Sequence, residues 1–344
     1  MQFSIVIPAH NGDKYLAAAI GSALSQTRKA DEIIILDDAS RDNTAAIAQA
    51  VQQRGEIKYY YNETSTGFVD AWNHAIGKAS GDFVIILHQD DLLHPEYVEH
   101  LERAVLQYPS VRHFYTACNY IDCDGNVIWT PPQPFSALPI LYSGKEYAHN
   151  YLTGMVTNTH IHRCPGVATA RTLLIDECSY RREAGQIADD DFFLRVGAFT
   201  DVVGISQPWA SFRHHRESET GKQQNLTLRL AQDYMYQAEY YINGAPLLNY
   251  EDIRQIQRQA ARFINLLLFL SLRHRNEGWK HEAYRLREKL DMLLPGFIET
   301  SLPMWGRVMW KLTSSRGSDL IAQNYVSVLT IIIKARKFLR SVRF

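Results

Sequence analysis

Over the first 130 residues, short apolar runs alternate with longer amphipathic stretches. Ser4–Pro8, Glu32–Asp37, Ile57–Tyr61 and Asp82–Leu87 are rich in β-branched and aromatic residues. Continuous apolar runs of this length suit strands covered on both faces. The pattern predicts helices at Lys14–Leu24, Asn43–Gln53 and Phe68–Lys78, and a fourth at Glu96–Gln107 behind Pro95, a residue suited to a first helical turn. Such alternation predicts an α/β fold with a mostly parallel sheet and right-handed crossovers. After Val111 the pattern loosens. Asp124-Gly125 between two β-prone runs predicts a hairpin turn. Pro131, Pro132, Pro134, Pro139 and Pro165 predict an irregular excursion over 130–165. A helix is expected at Asp189–Phe199 and a strand at Asp201–Phe212. Beyond Gly221 the chain reads as helical, with helices at Leu226–Ile242, Asp252–Leu272 and Trp279–Leu294, the last stopped by Pro295-Gly296. A boundary near residue 221 therefore separates an α/β domain, 1–220, from a helical C-terminal region, 221–344.

The length of 344 residues agrees with that division, at roughly 150 residues per domain. A formal net charge of −1 removes any whole-chain case for a nucleic-acid partner. Cys118, Cys123, Cys164 and Cys178 form no CxxC pair and are too sparse for a disulfide framework, so a reduced, cytoplasmic protein is expected. Met1-Gln2 leads straight into Phe3–Pro8 without a basic segment, and no secretory signal is expected. No window reaches the ~18 apolar residues of a spanning helix.

Charge is nevertheless segregated. Leu302–Phe344 carries eight basic residues and one acid, a local charge of +7 against −8 for the preceding 301 residues. Trp305 and Trp310 with flanking Arg and Lys suit a headgroup interface. Five of the last eleven residues are cationic, each worth about 1 kcal/mol near anionic lipid. This predicts peripheral contact of 302–344 with an anionic membrane, at the inner face of the cell membrane. The alternative is that Tyr325–Ile333 packs on the α/β domain or on a sister subunit, which leaves an oligomer possible.

Ligands of open α/β sheets bind beyond the carboxyl ends of the strands. Three strand ends here are polar: Pro8-Ala9-His10-Asn11, Asp37-Asp38-Ala39-Ser40 and His88-Gln89-Asp90-Asp91. Carboxylates converging on one cleft repel one another unless a cation or a donor-rich ligand is present. Adjacent acids suit a hard ion such as Mg²⁺ or Mn²⁺, which keeps part of its shell for phosphate oxygens. The bland alternative is that Asp38 and Asp91 cap the helices that follow.

Ser4–Asn11, Leu36–Thr44, Gly81–Asp91 and Asp189–Arg195 resemble, in order, the successive motifs of family 2 glycosyltransferases. The resemblance covers roughly residues 1–220. It implies a GT-A type, Rossmann-like sheet flanked by helices, and transfer from a nucleotide sugar with inversion. It places Pro8, Ala9, His10 and Asn11 against the base and ribose, and gives Asp38 a hydrogen bond from uracil. Asn62–Gly67 with Trp72-Asn73 matches a stretch that usually ends Arg-Asn, so Trp72 replaces a cation beside Asn73. His88-Gln89-Asp90-Asp91 matches the Asp-x-Asp element with His88 in place of the first acid. Asp90 and Asp91 remain as metal ligands, with His88 and Asp90 beside the diphosphate. Counting back from Arg195 puts the catalytic base at Asp189, with Asp190 in reserve and Ala188 where a Glu is usual. Arg213, His215 and Ser218 match the element that closes over the diphosphate.

The implied activity is an inverting transfer from a nucleoside diphosphate sugar, most simply UDP-linked, to a glycan or lipid-linked acceptor in surface polysaccharide such as lipopolysaccharide. A catalytically silent scaffold for glycan assembly is the alternative, kept open by Trp72, His88 and Ala188. Helix-dipole complementation is the alternative for the three acids, and a buried, satisfied imidazole for His88. His160, His162 and Cys164 share one face if extended and raise structural zinc as a competing reading, without a fourth ligand at a familiar spacing.

Overall fold

The computed structural model describes residues 1–131, 135–157, 162–215, 218, 226–242, 248–293 and 307–308. The chain divides into two compact units, Met1–Gly221 with Pro246–Leu248, and Lys222–Ala245 with Asn249–Phe344. The first begins with the alternation β1 (Phe3–Ala9), α1 (Leu16–Leu24), β2 (Glu32–Asp37), α2 (Thr44–Gln52), β3 (Lys58–Tyr61), α3 (Phe68–Lys78) and β4 (Phe83–Ile86). It continues through β5 (Leu92–Leu93), α4 (Tyr97–Gln107), β6 (His113–Ile121), β7 (Val127–Trp129), β8 (Ile140–Tyr142), α5 (Gly144–Thr157), β9 (Val167–Ala170), α6 (Ala188–Val196) and β10 (Val202–Arg213).

The strands form one sheet in the order β3-β2-β1-β4-β9-β6-β10-β5, with β7 on β6 and β8 on β10. β3, β2, β1 and β4 are mutually parallel, and β10 is parallel to β6. β9 runs antiparallel to both β4 and β6, so those two share a direction. The α/β architecture expected from the alternating pattern is present, with its parallel strands concentrated where the alternation is regular. β1 lies between β2 and β4 and is buried along its whole length. Its Ile5, Val6 and Ile7 pack beside Ile34, Ile35 and Ile85, all fully buried, each worth roughly 1.5–3 kcal/mol. That rigid centre fixes the positions of the strand ends.

The excursion over 130–165 is more ordered than its prolines suggest. β8 and α5 fall inside it, and β9 follows directly. Short strands flanked by Pro and Gly give little period-2 signal, which is why they are hard to read. The hairpin at Asp124-Gly125 is present, with Gly125 at φ 90° and β7 antiparallel to β6.

In the second unit, α7 (Leu226–Ile242), α8 (Tyr250–His274) and α9 (Glu277–Leu293) pack on one another. Asn249 and Asp252 form a reciprocal capping box at the start of α8. Ile256, Ala260, Ile264, Leu267 and Leu268 make its buried stripe at helical spacing. No helix among the described residues is long and apolar enough to cross a membrane. The helix stop at Pro295-Gly296 and, apart from Arg307 and Val308, the basic segment 302–344 lie outside the described residues.

Candidate active site

The ends of β1, β2 and β4 are joined by side chains that bond to neighbouring backbone. Gln89 Oε1 accepts from the His10 backbone N–H (2.8 Å), while Gln89 Nε2 donates to the His10 carbonyl (3.1 Å). A Cβ on Gly12 would lie 2.1 Å from Gln89 Oε1 and would displace this side chain from its place against His10. Asn11, in the left-handed region at φ 50°, accepts from the Arg41 N–H (2.9 Å), and its own N–H donates to Ser40 Oγ (2.9 Å). His10 Nδ1 meets the Asp38 carbonyl at 2.7 Å. Ala39, at φ 60°, is a strained non-glycine residue in the same turn. Pro8 and Ala9 are buried in β1, paired with Leu36 and Asp37 of β2.

The structure gives Asp38 a part that differs from the expected one. Its two oxygens accept from Asn62 Nδ2, Ser65 Oγ, Thr66 Oγ1 and the backbone N–H groups of Thr66 and Gly67, at 2.7–3.2 Å. Five donors from the 62–67 turn thus surround the Asp38 carboxylate. Burial alone would raise its pKa, but the hydrogen bonds from Asn62, Ser65 and Thr66 outweigh that and hold it below the usual range. It does not cap α2. It instead anchors the 62–67 turn at the start of α3, where Gly67 sits at φ 87°. Beside this turn lies a cleft of about 470 Å³ lined by His10, Asn11, Ala39, Arg41, Tyr61, Glu63, Thr64 and Ser65.

At the end of β4, Asp90 Oδ2 meets His215 Nε2 at 2.8 Å. Asp91 is fully buried and accepts from the Arg213 backbone N–H (2.8 Å), with His88 Nδ1 3.5 Å from its other oxygen. Burial and the neighbouring Asp90 raise its pKa to about 6. Asp91 is thus enclosed in the loop, with its Oδ2 buried and without a hydrogen-bond partner among the described residues. Arg213 is likewise committed: its guanidinium donates to the carbonyls of Asp90, Asp122 and Cys123 and lies over the Tyr15 ring. It is buried, with its Nε and Nη1 donors used on these loops. Ser218 Oγ donates to the His215 carbonyl (2.9 Å). Asn73 clamps the Tyr180 peptide from both sides (2.8 and 3.3 Å), which takes it away from a donor ligand.

Two of the three departures from the family pattern touch each other. Trp72 stacks on His88 with ring centroids 4.9 Å apart, and its edge meets Tyr180, which stacks on Phe192 of α6. This aromatic row connects the end of β4 to the start of α6.

The three acids of α6 diverge. Asp191 is buried and pairs with Arg195 (2.7 Å), whose other nitrogens donate to Cys178 Sγ and the Ser179 carbonyl. Asp190 accepts from Tyr151 OH at 2.6 Å. Asp189 receives the Asp190 N–H (2.9 Å). Burial, then the neighbouring Asp190, raise Asp189 to about 6, while Arg163 and His88 act in the opposite sense. Arg163 Nε donates to Tyr120 OH (2.7 Å). Sequence reasoning missed Gln89, Tyr151 and Arg163. Gln89 was detectable from its place inside the His-Gln-Asp-Asp element, whereas Tyr151 and Arg163 come from the Pro-rich excursion and carried no signal.

A divalent ion fits a donor set of one carboxylate oxygen and one imidazole nitrogen. Asp90 Oδ2 and His215 Nε2 lie 2.8 Å apart and pair with each other, a contact they would exchange for an ion, and a Mg²⁺-type ion needs few protein ligands when phosphate and water supply the rest. Structural zinc finds no such support. No group of three or more His, Cys, Asp or Glu gathers for a metal among the described residues, and His160 lies outside them. His162 Nε2 instead meets Tyr147 OH at 3.1 Å.

Residues 4–170 match the sequence family described as Glycosyl transferase family 2. Similar sequences include an uncharacterized glycosyltransferase of Rickettsia conorii, 39% identical over 28% of this chain and 16% of its own length. Glycosyltransferase GlyG of Streptococcus pneumoniae is 32% identical over 36% of this chain and 41% of its own length. Chondroitin synthase of Escherichia coli is 29% identical over 59% of this chain and 28% of its own length. The chain thus spans less than half the length of each of these relatives. Among solved structures, S. aureus TarS 1–349 in complex with UDP-GlcNAc superposes with a TM-score of 0.67 at 16% identity, covering 97% of this chain and 92% of that one. The likeness is one of fold, the GT-A arrangement of sheet and flanking helices.

Proposed function

The chain belongs to the family 2 glycosyltransferases through residues 4–170, and from that premise we propose that it is an inverting transferase using a nucleoside diphosphate sugar, most simply a UDP-sugar. The observation that carries the reading is one arrangement. The Asp90–His215 pair at the end of β4 is joined through His88, Trp72 and Tyr180 to α6, where Asp189 has a pKa near 6. A carboxylate with that proton affinity is ionised at neutral pH yet basic enough to accept a proton in the transition state. The solved complexes of TarS with UDP and with UDP-GlcNAc, a protein of the same fold, support the choice of nucleotide.

In this reading the nucleoside occupies the cleft beside Asn11, Ala39 and Tyr61, and the diphosphate extends toward Asp90. The acceptor hydroxyl oxygen attacks the anomeric carbon as the bond from that carbon to the β-phosphate oxygen breaks. Asp189 takes the hydroxyl proton, and the configuration inverts. Asp90 and His215 are the residues that would hold Mg²⁺ or Mn²⁺, which when bound supplies positive charge beside the departing diphosphate. Asp191 and Arg195 keep the start of α6 in place against residues 178–179, so Asp189 needs little reorganisation.

The acceptor we propose is a glycan, free or carried on a lipid, in surface polysaccharide synthesis. The basic, Trp-containing segment 302–344 supports work at the cytoplasmic face of a membrane, through attraction to anionic headgroups. The test is release of free nucleotide from a panel of sugar nucleotides by the full chain with Mn²⁺ or Mg²⁺. Activity is expected with one or a few UDP-sugars, abolished by chelation and lowered at least tenfold in Asp90→Ala. No release from any sugar nucleotide with any acceptor glycan would overturn the reading.

A further inference from the structure

The carboxyl end of β6 carries an arrangement that the proposed function leaves unused. β4, β6 and β10 share a direction, so their carboxyl ends face one edge of the sheet. Tyr120 is the penultimate residue of β6, and the β6–β7 hairpin sets Trp129 opposite it. The indole meets the Tyr120 ring at 85° with centroids 5.0 Å apart, its one ring contact among the described residues. It is nevertheless 37% exposed, and Val127 and Ile128 beside it are exposed as well.

Tyr120 OH accepts from Arg163 Nε at 2.7 Å, and the guanidinium carbon lies 5.6 Å from the Tyr120 ring centroid. That bond uses one of five guanidinium N–H donors. The two terminal nitrogens of this half-buried side chain make no hydrogen bond or ion pair with a described residue. From Arg163 the row continues toward the proposed base. Its neighbour Cys164 has Sγ 4.0 Å from Tyr180 OH, and Tyr180 stacks on Phe192 of α6. The Arg163 charge acts on both Asp189 and Asp190.

An uncovered indole, a fork of unused donors and a nearby base suit one ligand chemistry. The C–H groups on one face of a pyranose carry slight positive charge and settle on the negative face of an aromatic ring. Two neighbouring hydroxyl oxygens accept from a planar guanidinium fork. An acyl chain would cover Trp129 but leave the Arg163 donors unpaired. A carboxylate, sulfate or phosphate on the ring would gain Arg163 but meet Asp189 and Asp190, two acids against one cation.

We propose that Trp129 and Arg163 form the subsite for the acceptor's terminal sugar, an uncharged pyranose stacked on the indole, with two hydroxyls held by the guanidinium and a third presented to Asp189. Tyr120 is a positioning residue that fixes Arg163 Nε and supports the indole. The assignment rests on the transferase reading and names the chemical class of its acceptor.

The experiment is saturation-transfer NMR on the full chain with Mg²⁺ and UDP. The probes are the methyl glycosides of glucose, galactose, mannose and N-acetylglucosamine, with methyl glucuronide as the charged comparison. At least one neutral glycoside is expected to receive saturation, strongest at the ring C–H protons of one face. Trp129→Ala should lower that signal about fivefold, whereas Trp129→Phe should retain most of it. Arg163→Lys keeps the charge beside Asp189 but not the fork, and should lower the signal about threefold. All three variants should still bind UDP in calorimetry, which shows that they fold. A signal that survives Trp129→Ala, no saturation of any neutral glycoside, or a preference for the glucuronide overturns the assignment and leaves the transferase reading standing. A wild-type chain that neither binds UDP nor releases nucleotide from any sugar nucleotide removes that reading and this assignment together.

Discussion

At the end of β2, five donors converge on the Asp38 carboxylate; at the start of α6, Asp189 has one backbone N–H and a second acid beside it. The consequences are opposite in sign. Hydrogen bonding holds Asp38 below the ordinary carboxylate range, whereas burial and Asp190 lift Asp189 to about 6. An acid saturated with donors is fixed as an anion and builds structure. An acid short of donors retains proton affinity and is available for chemistry. Within one unit, the supply of hydrogen-bond donors separates Asp38 from the proposed base, Asp189.

The sharpest way to break this contrast is to substitute each acid and measure both turnover and stability. Asp189→Asn is expected to lower kcat by about 10²–10⁴-fold while UDP affinity, read by calorimetry, stays within about threefold. Comparable turnover in the variant would move the base elsewhere. Asp38→Ala should do the reverse, lowering unfolding free energy by about 2–3 kcal/mol because buried donors of the 62–67 turn lose their acceptor. Urea denaturation followed by circular dichroism reads this, and an unchanged midpoint would contradict the anchoring role. The smallest effect belongs to Arg163, whose charge opposes the rise at Asp189. Arg163→Gln should shift the acid limb of the rate profile to higher pH. A purely packing role for Arg163 would lower the rate at all pH values without moving that limb.

The fold was largely readable, because β1, β2 and β4 are mostly apolar runs and β3 a run of tyrosines, separated by amphipathic helices, a pattern that depends only on local periodicity. β9 and α5 were not, since a four-residue strand beside Cys164-Pro165-Gly166 and a helix in a Pro-rich stretch carry little periodic signal. In the site, sequence order identified the strand ends where polar residues gather, but could not say which polar groups are already used. Asp91, Arg213, Asn73 and Asp38 are each spent on backbone or side chains from distant segments. Such pairings depend on contacts between residues up to 123 positions apart.

The most direct test of the contrast is a comparison of two pH profiles recorded in the same buffers, one of turnover and one of unfolding free energy. Below pH 6 Asp189 becomes protonated and cannot accept the acceptor's proton, so kcat/KM should fall about tenfold per pH unit. Protonating a carboxylate whose folded pKa is raised does not destabilise the fold. The contribution of Asp38, whose folded pKa is lowered, is present above the unfolded value of roughly 3.9 and lost only as pH falls through the lower folded value. The account therefore predicts a fully folded protein near pH 5 with roughly a tenth of its neutral-pH activity. Loss of turnover and of stability together, or turnover that stays level down to pH 4.5, would contradict it.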